Sequence, residues 1–211
     1  MIETILQSRL VPVAVIDDSA NAQTLAECLL ESGINVIEVT LRTPAALESI
    51  KKIKREVPGM MVGAGTVLDH KQVPELIDAG VSFAITPGLN TAVIESCIKH
   101  DLLVMPGVMT PSEIELARSF QLDVLKFFPA EAAGGASTLR AFAGPYGHTG
   151  LRFIPTGGIK LSNMLDYLAL SCVAAVGGSW FVASSLLEKK DFQGIRSLTM
   201  EAVEQVQKLD K

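Results

Sequence analysis

Cysteine is scarce in this chain: Cys28, Cys97 and Cys172 lie far apart, and no CxxC spacing occurs. An odd count without paired spacing argues against both a disulfide framework and a zinc site. Buried, reduced thiols in a reducing compartment are expected instead. Histidine is equally scarce. His70, His100 and His148 share no ligand spacing and none ends a predicted strand, which disfavours a histidine-ligated divalent metal. Charge is thin, with 19% charged against 48% hydrophobic residues and a net charge of −5. The densest basic run, Lys51, Lys52, Lys54 and Arg55, alternates with apolar residues at helical spacing. It reads as a solvated helix face, and no nucleic-acid partner is expected. No long apolar run exists either. Val173–Leu187 is broken by Gly177, Gly178 and several serines, and it is too short to span a bilayer. The opening MIETILQSRL lacks a basic region followed by an apolar one, so no signal peptide is expected. A cytoplasmic protein without a membrane partner follows. GxGxxG is missing, and no Ser-His-Asp arrangement suggests itself. A phosphorylated small molecule stays open, because backbone N–H groups bind phosphate without a basic patch.

What the chain does have is repetition. Short β-branched apolar runs cover Val11–Ile16, Val36–Leu41, Met60–Val67, Phe83–Pro87, Leu103–Val108, Val124–Phe128, Phe153–Thr156 and Val173–Gly177. Their starts are roughly 20–29 residues apart, the length of one strand plus one crossover helix. Amphipathic stretches lie between them. Ala22–Ser32 ends at Gly33, a helix-terminating glycine. Asp69 caps a stretch running to Ala79, and Gly80 closes it. Thr110, Pro111 and Glu113 open another. Ser162 begins a helix to Leu170, and the last helix spans Phe192–Lys208. A leading helix over residues 2–9 covers the bottom. Eight strand-helix units in one uninterrupted alternation predict an α/β fold, a single-domain (β/α)8 barrel over residues 1–211. The thin charge hints at surface hidden in an oligomer.

Barrel sites form at the C-terminal ends of strands. The sixth strand carries Lys126 between Leu125 and Phe127. A buried lysine is costly, and desolvation favours the neutral amine that attacks ketones. A lysine that snorkels or pairs structurally with a carboxylate is the bland alternative. On the second strand Glu38, Thr40 and Arg42 share parity. A glutamate enclosed by Ile37 and Val39 is suited to shuttle protons, unless it merely pairs with Lys126. Arg42, at the strand end, suits a substrate carboxylate, although a surface or capping arginine would sit there too. Thr66 and Thr156 end the third and seventh strands and offer hydroxyls at the mouth. Gly157-Gly158 and Gly177-Gly178-Ser179 follow strands seven and eight, where barrels often bind phosphate. Ser179 is expected to start a short helix with its N-terminus toward an anion. Tight turns without a ligand would use the same glycines. Glu131 is expected to brace its loop rather than do chemistry.

Six stretches together resemble one family: Ile37–Thr43, Gly63–Val67, Thr86–Gly88, Lys126–Glu131, Pro155–Ile159 and Gly177–Trp180. They are similar to those of the 2-keto-3-deoxy-6-phosphogluconate (KDPG) and 4-hydroxy-2-oxoglutarate (KHG) aldolases, in order and over essentially the whole chain. The resemblance implies that Lys126 forms the Schiff base and Glu38 is the general acid/base. It implies that Arg42 and Thr66 bind the pyruvyl carboxylate and Thr156 contacts the substrate chain. Pro87 and Phe128 would line the pocket, with Gly158 and Ser179 at the phosphate. It further implies a homotrimer that needs no metal or cofactor and acts on small 2-keto-4-hydroxy acids. KDPG would yield pyruvate and glyceraldehyde 3-phosphate, and KHG pyruvate and glyoxylate. Three features depart from the pattern: Ala133 in place of a frequent Asn, a longer Tyr146–Gly150 loop, and the acidic Asp17-Asp18 after the first strand. A sister aldolase for the phosphogalactonate epimer, a non-catalytic phosphate-binding barrel and a metal-dependent epimerase are the rival readings.

Overall fold

Each strand pairing in the computed structural model, which describes residues 2–209, is parallel. The strands are β1 (Leu10–Ala14), β2 (Val36–Thr40), β3 (Met61–Gly65), β4 (Phe83–Ile85), β5 (Leu103–Met105), β6 (Gly107–Val108), β7 (Val124–Phe127), β8 (Arg152–Pro155) and β9 (Val176–Gly178). Helices α1 (Ile2–Ser8), α2 (Ala22–Glu31), α3 (Ala46–Glu56), α4 (Val73–Asp78) and α5 (Thr91–Lys99) accompany the first half. The second half carries α6 (Pro111–Ser119), α7 (Gly135–Tyr146), α8 (Met164–Leu168), α9 (Ser184–Glu188) and α10 (Phe192–Leu209). One sheet has the order β5-β4-β3-β2-β1-β9 and the other β6-β7-β8. Two isolated parallel bridges, Phe153 to Val173 and Thr156 to Gly177, link β8 with the β9 segment. All five residues of β2 are buried, as expected where helices cover a parallel sheet.

Local chemistry explains where the elements stop. After α2, Gly33 adopts φ +92°. Its N–H donates to the Leu30 carbonyl and that of Ile34 to the Leu29 carbonyl, the paired closure of a Schellman turn. Asp69 and Gln72 form a capping box, but the turn they cap is 3-10, and α4 begins only at Val73. Thr110 and Glu113 form a second box ahead of α6, with Pro111 in the first turn. Helix α1 packs on β1 and β2 through the buried Ile5.

Four expectations are corrected. The fifth strand is not continuous: it breaks at Pro106, which has no N–H to donate to a ladder. Before the break β5 pairs with β4; after it β6 pairs with β7, and the Pro106 carbonyl accepts the Lys126 N–H. The last strand starts at Val176 rather than Val173. The chain first bonds to Phe153 and then switches, the Val176 N–H donating to the Arg9 carbonyl. Asn163, not Ser162, precedes α8, because its amide closes the turn by accepting from the Lys160 N–H. Ser179 precedes only a 3-10 turn, Trp180–Val182, and does not cap it. Cys28, Cys97 and Cys172 are free and buried, and burial pushes the Cys97 thiol up to about 11. Among the described residues no helix is long and apolar enough to cross a membrane.

Candidate active site

Side chains alternate along a strand, so residues two apart share a face. Val13 with Val15, Glu38 with Thr40 and Arg42, and Lys126 with Phe128 all face one cavity of about 540 Å³. It opens at the C-terminal ends of the strands and has the size of a small-molecule site. Thr66, Pro87, Thr156, Gly157, Gly158, Gly178 and Ser179 complete the set of residues expected from sequence, and every one of them lines this cavity.

Glu38 and Lys126 are 1% and 5% exposed. Their Nζ and Oε1 atoms stand 3.5 Å apart. That is near enough for Coulomb attraction, yet Glu38 Oε1 is buried with no hydrogen-bond partner. The acceptor is thus left for something else, an arrangement a purely structural pair would avoid. Lys126 Nζ also lies 5.0 Å from the centre of the Phe128 ring, which attracts a cation electrostatically. A Cβ on Gly65 would stand 2.0 Å from Glu38 Oε1. The carboxylate therefore rests where only glycine leaves room. Thr40 donates to the Ala14 carbonyl at 3.2 Å and ties β2 to β1 beside the pair.

The polar rim is underused. Among the described residues, Arg42 makes no ion pair or hydrogen bond within the chain. Thr66 has φ +58°, a left-handed conformation rare for a β-branched residue and common at functional sites. Opposite, Gly157 and Gly158 have φ +97° and +82°. Glu131 packs on Gly158, where a Cβ would meet Glu131 Cγ at 2.5 Å. The Tyr167 hydroxyl donates to Glu131 Oε1. Burial, and then this hydrogen bond, hold Tyr167 well above the usual phenol range.

Sequence reasoning missed Val13, Val15, Ile159, Val182 and the Ala183-Ser184-Ser185 segment, which also line the cavity. For the valines parity was a usable signal, since a strand has only two faces. The path of residues 182–185 back over the mouth depends on the break between the 3-10 turn and α9, which no motif marks.

The sequence model of the family described as KDPG and KHG aldolase matches residues 1–198. The KHG/KDPG aldolase of Escherichia coli strain K12 is 45% identical over 92% of this chain and 90% of its own length. Two solved structures are similarly near. The KDPG aldolase of Legionella pneumophila, with pyruvate captured at low pH as a covalent carbinolamine intermediate, has a TM-score of 0.91. It is 37% identical and covers 95% of this chain and 97% of its own. The 2-keto-3-deoxy-6-phosphogluconate aldolase of Zymomonas mobilis ZM4, with 3-phosphoglycerate, has a TM-score of 0.89 at 40% identity. It covers 96% of this chain and 94% of its own. With a full-length motif set, a cavity holding a buried lysine and glutamate, and relatives of this identity, the chain belongs to the KDPG and KHG aldolase family.

Proposed function

We propose that this chain is a metal-independent class I aldolase, cleaving KDPG to pyruvate and glyceraldehyde 3-phosphate and KHG to pyruvate and glyoxylate. The observation that carries this reading is the Lys126–Glu38 pair, 3.5 Å apart and buried, in one cavity with the unpaired Arg42 guanidinium. Arg42 and Thr66 take the pyruvyl carboxylate, a fork matched to two oxygens. The neutral Lys126 amine attacks the C2 ketone, and Glu38 moves protons through the carbinolamine to the imine. The protonated imine accepts the electron pair as the C3–C4 bond breaks and a base takes the C4 hydroxyl proton. Thr156 contacts the substrate chain, Pro87 and Phe128 flank it, and the phosphate rests near Gly157, Gly158, Gly178 and Ser179. After the aldehyde leaves, the enamine is protonated at C3, and hydrolysis frees pyruvate and Lys126. The Legionella carbinolamine and the phosphoglycerate in the Zymomonas relative support both halves of this scheme.

The barrel is part of the same reading: the single domain expected over residues 1–211, of which 1, 210 and 211 lie outside the described residues, is a (β/α)8 barrel. Its support is the pair of bridges between β8 and the β9 segment at one seam, and the chain continuity of β5 and β6 across Pro106 at the other. A homotrimer in the cytoplasm is proposed with it, supported by the family resemblance and by exposed apolar residues such as Leu68, Met109 and Leu116. Borohydride with pyruvate should inactivate the enzyme and leave a reduced pyruvyl adduct on Lys126. An adduct elsewhere, or none, would sink the mechanism. The imine supplies the electron sink that a divalent ion would supply in a metal-dependent aldolase, so EDTA should leave turnover intact. Lost activity restored by a divalent ion would point to that other chemistry.

A further inference from the structure

Two consecutive glycines in the left-handed region form a turn with many alternative conformations. Yet Gly157 and Gly158 are held from both sides. From the β7 side, the Ala130 N–H donates to the Thr156 carbonyl at 2.8 Å and the Glu131 N–H to the Gly157 carbonyl at 3.1 Å. The Glu131 side chain then lies flat on Gly158, leaving no room for a Cβ there. From the α8 side, Asn163 Nδ2 donates to the Gly158 carbonyl at 3.1 Å. Tyr167, on α8 and 1% exposed, closes the clamp by donating to Glu131 Oε1. Neither Glu131 nor Tyr167 lines the cavity. A solvent-reaching glutamate would ordinarily sample several rotamers; this one is pinned by a buried hydroxyl that itself needs an acceptor.

We propose that Glu131 and Tyr167 are positioning residues: together they form a strut that fixes the Gly157–Gly158 turn and so sets the preference for a phosphate-ended over a carboxylate-ended substrate. The proposal rests on the reading above that this turn receives the phosphate. Without the strut, the turn must be ordered at the moment of binding, and that entropy counts against whichever substrate uses it. The reacting pair, Lys126 and Glu38, is untouched by the change.

The test compares Glu131→Ala, Glu131→Gln, Tyr167→Phe and the double variant Glu131→Ala/Tyr167→Phe in the full-length enzyme. KM and kcat are measured for KDPG and for KHG, beside borohydride trapping of pyruvate. Glu131→Ala and Tyr167→Phe should each raise KM for KDPG about tenfold, in line with loss of a hydrogen bond to a charged group. The kcat for KDPG, both constants for KHG and the trapping rate should stay within about threefold. The double variant should be no worse than the poorer single one, because the two residues act as one unit. Glu131→Gln keeps an acceptor for Tyr167 and should restore most of the lost affinity. Equal losses for both substrates, additive losses in the double variant, or failure of Glu131→Gln to recover would each overturn the strut. Should Glu131→Ala fail to fold, Tyr167→Phe decides alone, since it leaves no buried donor unpaired. Wild-type enzyme that traps no pyruvate would overturn the proposed function and the strut's role in substrate preference with it, whereas equal losses in an enzyme that traps pyruvate overturn the strut alone.

Discussion

Lys126 and Glu38 are removed from water together, with 3.5 Å between Nζ and Oε1. Such pairs recover little of their desolvation cost unless every remaining polar atom is satisfied. Here one carboxylate oxygen is not, so stability alone does not account for the arrangement. A bound substrate and its transferring protons would supply the missing partner. Glu38→Gln keeps the size and most of the packing of the side chain and removes its acid/base capacity. We expect the fold to survive and turnover to fall by about 10²–10⁴-fold, the usual worth of a positioned acid/base. Imine trapping should slow as well, because carbinolamine dehydration needs the proton. Near-normal turnover in this variant would reduce Glu38 to a structural partner of Lys126.

At the scale of elements, β2 and β3 together set the glutamate. Their register places Gly63 beside Glu38 and Gly65 beside Thr40, and the carboxylate folds into the space over Gly65. Gly65→Ala should therefore act as a local overpacking change, destabilising by roughly 1–3 kcal/mol and swinging the Glu38 carboxylate off Lys126. We expect kcat to drop far more than the stability loss explains. A melting curve beside a pyruvate-trapping time course checks this. Unchanged trapping with normal kcat would mean that the carboxylate does not depend on that space. The glycine was visible in the sequence, but its reason was not: GAGTV reads as a turn-prone strand until the facing glutamate is placed. Much else at this scale was legible because it depends on neighbours within four residues. Gly33 ending α2, the Thr110–Glu113 box and the parity of Glu38, Thr40 and Arg42 are of that kind. What depended on distant partners was not legible. Pro106 could sit at the edge of a strand or break it, and only the separate pairing of β5 with β4 and β6 with β7 decides. Ser162 and Asn163 are both acceptable residues before a helix, and Asn163 takes the place without capping α8, its amide engaged instead by the Lys160 N–H and the Gly158 carbonyl.

At the scale of the whole molecule, the chain carries a net charge of −5, while a sugar-acid phosphate is itself an anion. Overall electrostatics therefore oppose binding, and attraction has to come from groups inside the cavity. Two kinds of group line it: the Arg42 guanidinium, and the backbone of Gly157-Gly158 after β8 and of Gly178-Ser179 at the end of β9. In the proposed reading KDPG engages both, its carboxylate at Arg42 and its phosphate at the glycines. KHG ends in a carboxylate nearer the reacting carbons and should reach the glycine turns poorly. Ser179→Asp adds one negative charge beside Gly178 and leaves Lys126, Glu38 and Arg42 unchanged. Like-charge repulsion in a partly enclosed cavity should lower kcat/KM for KDPG by roughly 10²-fold or more, mostly through KM. Cleavage of KHG and borohydride trapping of pyruvate should change much less. Raising the ionic strength should return part of the loss, because the added carboxylate stands near solvent where salt screens it. Equal losses for both substrates in a variant that remains folded would show that the phosphate is held elsewhere, and that Gly157-Gly158 and Gly177-Gly178 serve only the turn after β8 and the close pairing of β9.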